Sequence, residues 1–182
     1  MLTSLLDREP PGSLMLMIVR CSADCRQHRA LIHQGIELGL AGRIFDGLTA
    51  RLAYTFSDFR FDGDPTYGNN QLPGAPRHYI RAEMRYGHSS GFCISPNLEW
   101  VPEGYYVDNV NNPAFQTAPY ALLGLKAGYT GFKGIEIFVD ARNLTDVKYV
   151  SNVSVINVAT PLSALYDPGD GIGAFAGVQV RF

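Results

Sequence analysis

The chain has 182 residues and a formal net charge of −2, so it lacks the basic footprint that nucleic-acid binding requires. Charged residues make up only 18%, against 19 glycines, 10 tyrosines and 10 phenylalanines, a balance that suits many strands joined by turns. Cys21, Cys25 and Cys93 are odd in number and irregularly spaced, so no disulfide framework or zinc pattern follows from them, and no apolar run approaches a membrane helix of about 20 residues.

Residues 1–30 differ from everything after them. They show no clean period of two or 3.6, and Pro10-Pro11-Gly12 breaks them early. They read as an atypical leader, disordered or non-native, ahead of a structured segment over 31–182. The apolar stretch 14–19 is too short for a signal-peptide core, and Asp7 and Glu9 stand where basic residues belong, so no export signal is expected in the chain. Cys21, Cys25 and His28 form too sparse a set for a metal site, and no metal or cofactor is expected.

From His33 onward apolar and polar residues alternate. Ile36, Leu38 and Leu40 open a strand, and Leu48, Ala50, Leu52, Tyr54 and Phe56 continue it as a hairpin. The polar segment 58–77, rich in Asp, Gly, Asn and Pro, is a loop. Ile80, Ala82, Met84 and Tyr86 mark a third strand. Phe92, Ile94, Leu98 and Trp100 mark a fourth, in which Pro96 predicts a bulge or bend. A second long loop covers 102–119. Strands follow at 121–129 and 135–142, then a third long connection at 143–170, and a last strand at 171–182 that ends on Phe182.

Short and long connections alternate strictly. In an up-and-down antiparallel sheet this puts every long loop at one end, as in outer-membrane barrels. Glu37, Arg51, Arg81, Glu83, Arg85, Glu99, Lys126, Glu136, Asp140, Arg142 and Arg181 share one face. The other face is apolar, with Tyr54, Phe56, Tyr86, Trp100, Tyr129 and Phe182 near strand ends like an aromatic girdle. About seven strands are legible, too few to close a barrel that begins at about eight. The expected fold is therefore all-β: an antiparallel, up-and-down transmembrane β-barrel, incomplete, formed by the C-terminal strands of a larger one. A soluble lipocalin-like barrel is the alternative, with the apolar face turned inward; a porin-like passive channel is another.

The sequence carries no Gly-x-Ser-x-Gly elbow, no His-Glu-x-x-His and no phosphate-cradling loop, so no enzyme is expected. Asp58, Asp62 and Asp64 have the spacing of calcium ligands without the Gly and Glu that complete such a loop, and read as a solvated turn. His33, His78 and His88 are scattered at strand ends. Asn143 reads as a cap at the top of a strand.

Residues 33–182 resemble the C-terminal end of TonB-dependent outer-membrane receptors. The carriers are Gln34-Gly35-Ile36-Glu37-Leu38, Tyr54-Thr55-Phe56-Ser57-Asp58, and Gly68-Asn69-Asn70-Gln71-Leu72-Pro73-Gly74-Ala75-Pro76-Arg77-His78. Ala141-Arg142-Asn143-Leu144-Thr145-Asp146-Val147-Lys148-Tyr149 and the terminal Gly177-Val178-Gln179-Val180-Arg181-Phe182 complete them. The resemblance implies a barrel of about 22 strands with a plugged lumen in the bacterial outer membrane, importing ferric siderophores or another scarce solute. It implies outer-membrane lipid, the barrel-assembly machinery and TonB-ExbB-ExbD as partners, the last through a plug that this sequence does not contain. A chain without plug or earlier strands is expected not to transport alone. Gly177, Val180 and Phe182 match the signal for barrel assembly. Tyr105, Tyr106, Asn109, Tyr149 and Tyr166 lie in the long loops, where they either contact ligand or anchor the loops.

Overall fold

The structure is a computed structural model that describes residues 13–25 and 29–181. It contains ten strands: β1 (Ser13–Cys25), β2 (Arg29–Phe45), β3 (Leu48–Phe61), β4 (His78–Gly87), β5 (Phe92–Val101), β6 (Tyr120–Phe132), β7 (Ile135–Arg142), β8 (Val150–Val153), β9 (Tyr166–Pro168) and β10 (Gly173–Val180). Eight of them form one sheet in the order β1-β2-β3-β4-β5-β6-β7-β10, each pair antiparallel. The small β8–β9 ribbon stands apart, inside the third long connection. Strands β1 and β10 do not pair with each other, so the sheet is open at both ends.

Strands β2 to β7 and β10 are the seven legible in the sequence. The structure adds β1, which occupies much of the expected leader, with Leu14, Leu16 and Ile18 in register with Leu40, Leu38 and Ile36. It escapes a search for alternation because the intervening Met15, Met17 and Val19 are apolar too. Residues 1–12 and 26–28 of that leader lie outside the described residues.

The turns after β2 and β6 are short because Gly47 and Gly134 take positive φ, 85° and 74°, where a side chain would be strained. Of the bulge or bend expected at Pro96, the bulge is not there. Ile94 pairs with Tyr86, and Asn97 with Glu83, in one continuous register; only the rungs between them are missing. Proline lacks the N–H for a rung, and the strand loses hydrogen bonding without gaining a residue. Register shifts fall instead near the short turns, at Arg43/Phe45 and Tyr129/Phe132.

Cross-strand register gathers like with like. Leu40, Leu52, Ala82, Leu98 and Leu123 make one apolar row; Leu38, Tyr54, Ile80, Trp100 and Ala121 make the next. Large members of this face, among them Met84, Trp100, Leu123, Ile137, Val139 and Val178, are exposed. A lipocalin-like fold buries that face inward, so the soluble alternative fails. The compact apolar core lies elsewhere, among the long connections: Tyr105, Val107, Val153, Ala159 and Leu165, with Phe115, Val150 and Ile156 packed around them.

Candidate functional site

The opposite face of the sheet lines an open trough with a volume of about 1140 Å³. Arg51, Arg81, Glu83, Asn97, Glu99, Lys126, Asp140 and Arg142 come to it from five strands. An even spacing along each strand and a fixed register are all that is needed to place them there.

Most of these charges are matched. Arg81 meets Glu99 at 3.1 Å, Lys126 meets Glu83 at 3.8 Å and Arg142 meets Asp140 at 2.7 Å. Near the short-turn end Arg181 stands 3.8 Å from Glu136. These pairs are largely solvated, so they contribute little to stability, yet they neutralise the wall. Arg51, which lines the trough, and Arg85, which does not, make no ion pair with another described residue.

At the long-loop end, acid and aromatics converge. Tyr120 Oη donates to Glu99 Oε1 at 3.4 Å, and the Tyr120 ring lies 4.8 Å from that of Tyr149. The Arg81 guanidinium sits over the Tyr79 ring at 5.1 Å. Tyr149 arrives from the third long connection and lines the trough with Asp170. Its ring lies against Gly169, where any side chain would collide with it. Burial, and then the negative charges of Glu99 and Asp170, push the Tyr149 hydroxyl above its ordinary pKa, so it stays neutral as a donor.

Asn143 fixes the root of that connection. It is buried, with φ 47°; its amide donates to Val147 O and Asp170 O, and its oxygen accepts from Val147 N–H, each at 2.9 Å. Such a side chain caps the end of β7, as the sequence suggests.

The other loop candidates are dispersed. Tyr105 is buried in the loop core, its N–H bonded to Thr117 Oγ1 at 3.0 Å, and burial raises its pKa. Tyr106 is half-buried and its carbonyl accepts from Gly74 N–H at 2.9 Å. Asn109 donates to Asn157 Oδ1 at 2.9 Å. Tyr166 is exposed on β9. Of the five, Tyr149 alone lines the trough. On β10, Gly177 lies beneath the Phe138 ring and Val180 pairs with Ile135. Phe182 lies outside the described residues.

Tyr79, Arg81, Glu99 and Tyr120 stand together although no local motif marks them. Register supplies the only signal: Arg81 faces Glu99 directly, and Tyr120 opposes Val101, two residues on from Glu99 along β5. Asp58, at the end of β3, and Asp64, in the first long loop, are held by hydrogen bonds within the protein. Asp58 accepts from Gln34 Nε2 at 2.6 Å, and Asp64 Oδ1 accepts from the N–H of Thr66 and Tyr67. Among the described residues no three His, Cys, Asp or Glu side chains are placed to hold a metal. His33 stacks on Phe59 at 4.7 Å, and His78 Nδ1 bonds Tyr54 Oη at 2.8 Å at the rim of the apolar face.

Residues 29–144, well over half the chain, match the family model described as TonB dependent receptor-like, beta-barrel. The chain belongs to this family. Receptors of the family are outer-membrane β-barrels, and the fold agrees with solved members. The ferric yersiniabactin uptake receptor FyuA from Yersinia pestis superposes with a TM-score of 0.79 at 17% identity, over 96% of this chain and 28% of its own. The siderophore receptor PiuA from Acinetobacter baumannii gives 0.74 at 19% identity, over 93% of this chain and 26% of its own. The ferric-catecholate import receptor Fiu from E. coli K12 gives 0.72 at 18%, over 93% and 25%. The TonB-dependent receptor chain described here thus spans about a quarter of the length of these receptors. No curated protein sequence matches it.

Proposed function

We propose that these strands form one sector of an outer-membrane receptor that takes up a ferric siderophore or a chemically similar scarce solute. The observation that carries this reading is the division of the sheet. Paired charges and tyrosines line the hollow side, and an unbroken apolar surface covers the other. Lipid demands that division, because each charged side chain at the bilayer midplane costs about 2–4 kcal/mol. The open edges of β1 and β10 support a barrel that further strands must close, since unpaired backbone groups are not tolerated in hydrocarbon.

Within that barrel the Tyr79, Arg81, Glu99, Tyr120 and Tyr149 cluster is the mouth of the passage. Its ring faces offer stacking, and its tyrosine hydroxyls offer hydrogen bonds to a chelate. The remaining partners follow from the same reading. TonB-ExbB-ExbD supplies energy through a plug, and the barrel-assembly machinery reads the end of β10. This sector alone does not transport.

The test is ligand binding and transport by the receptor that carries this segment. Ferric chelates should quench its fluorescence saturably, and Tyr149→Ala should weaken that binding about tenfold without moving the protein out of the outer-membrane fraction. Fractionation away from the outer membrane would defeat the reading. A steady, ligand-independent conductance in planar bilayers would favour a passive channel.

A further inference from the structure

The three long connections, 62–77, 102–119 and 143–172, are tied to one another by hydrogen bonds. Asp108 is the centre. It has no solvent exposure, and its two carboxylate oxygens face different loops. Oδ1 accepts from Asn112 N–H within its own loop at 2.9 Å, and Oδ2 accepts from Ala159 N–H at 2.9 Å, 51 residues along the chain. The backbone around it reinforces the join, with Asn109 N–H to Ile156 O at 3.1 Å and Ile156 N–H to Val107 O at 3.3 Å.

The first loop is tied in by asparagines. Asn111, at φ 57°, accepts from Gln71 N–H at 2.7 Å and donates to Gln71 O at 2.9 Å, imitating a strand partner. Asn70 donates to Asn109 O at 2.9 Å, and Gly74 N–H reaches Tyr106 O at 2.9 Å. A Cβ at Gly74 would fall 2.8 Å from Val155, so the first and third loops also touch directly. Beneath these ties lies the apolar core of the molecule, Val107, Val153, Ala159 and Leu165.

We infer that the three loops are a single preassembled cap, keyed by the Asp108 carboxylate, which opens or holds as one unit. Loops that contribute only their tips to a site would each have their own stability, set by local contacts. Here a buried carboxylate without its donors, or donors without their carboxylate, carries the full cost of an unmade bond. Loss at one loop is therefore felt by all three. Solute meets a surface already built, and the ordering cost of binding is small.

Amide hydrogen exchange on the receptor in detergent micelles tests this. In the wild type, Gln71, Gly74, Asn112, Ile156 and Ala159 should exchange with similar protection. Asp108→Ala should speed all five by about tenfold or more, including Gln71 and Gly74, which Asp108 does not touch, and leave the amides of β4 and β5 unchanged. Acceleration confined to Asn112 and Ala159 would overturn the proposal, as would wild-type protection that already differs by orders of magnitude between loops. If Asp108→Ala does not fold, Asn111→Ala decides. It removes the two bonds to Gln71 and a longer one, 3.3 Å, to Asp108 O within its own loop, and a cap that acts as a unit requires Ile156 and Ala159 to quicken with it. Their indifference would overturn the proposal.

Discussion

Arg81 and Glu99, directly opposite each other on neighbouring strands, hold a 3.1 Å ion pair at the mouth of the trough. The pair is well solvated, with side-chain exposures of 64% and 28%, and should contribute no more than about 1 kcal/mol to folding. Its effect is on charge. Glu99→Gln leaves the guanidinium unmatched and the mouth one unit more positive. We expect stability within about 1 kcal/mol of wild type and faster, salt-sensitive association with anionic chelates. Stopped-flow binding at two ionic strengths checks this. Equal association rates for both proteins would mean that Glu99 does not face the solute.

The apolar face makes a sharper energetic demand. Leu52 lies in the row of Leu40, Ala82, Leu98 and Leu123, midway along the strands. Leu52→Arg should cost about 2–4 kcal/mol, whereas Thr55→Lys on the other face, opposite Glu37 and Tyr79, should cost almost nothing. Urea unfolding in phospholipid vesicles compares the two. Similar losses would show that both faces see water.

Much of this fold can be read without coordinates, for a physical reason. A wall with lipid on one side and water on the other writes a period of two into each strand, so β2 to β7 and β10 announce themselves. Where both alternating sets are apolar, as in Leu14 to Val19, the period vanishes and β1 is missed. The loop core is also silent. Val107, Val153, Ala159 and Leu165 are buried by irregular backbone, which imposes no period. Among site residues, Tyr149 lies in a recognisable loop, but Tyr79, Arg81, Glu99 and Tyr120 become a cluster only once register is known. Tyr105 looks like Tyr149 in sequence and differs only by which side of the loop is covered.

The edge strand offers a packing test. The Phe138 ring lies across Gly177 on β10, where an added Cβ would stand 2.5 Å from the ring. Gly177→Ala must displace the far edge of the ring, which is 45% exposed and can swing aside, so it should destabilise by about 1 kcal/mol, at the low end of overpacking. Phe138→Ala removes the ring, and the double variant should recover most of the loss from Gly177→Ala. A thermodynamic cycle measured by denaturant unfolding reads the coupling. Additive losses would mean that the ring does not rest on the glycine.

Asp146 supplies a pH dependence. Its carboxylate accepts from Lys148 Nζ at 3.0 Å and from Ile172 N–H at 3.3 Å, joining the start of the third long connection to its end. The Lys148 hydrogen bond first, and then the Ile172 amide, hold its pKa below the ordinary carboxylate value. A depressed folded pKa means that the charged form is favoured by folding. The tie is therefore fully present above the ordinary carboxylate pKa and is lost as pH falls through the lower folded value. Protection of the Ile172 amide, measured against an unstructured amide at the same pH, should fall as the medium is acidified through that window and stay flat from neutral pH down to its upper edge. Asp146→Asn, which keeps an acceptor oxygen but cannot titrate, should abolish the acid-induced change. An identical acid response in that variant would assign the effect to another group.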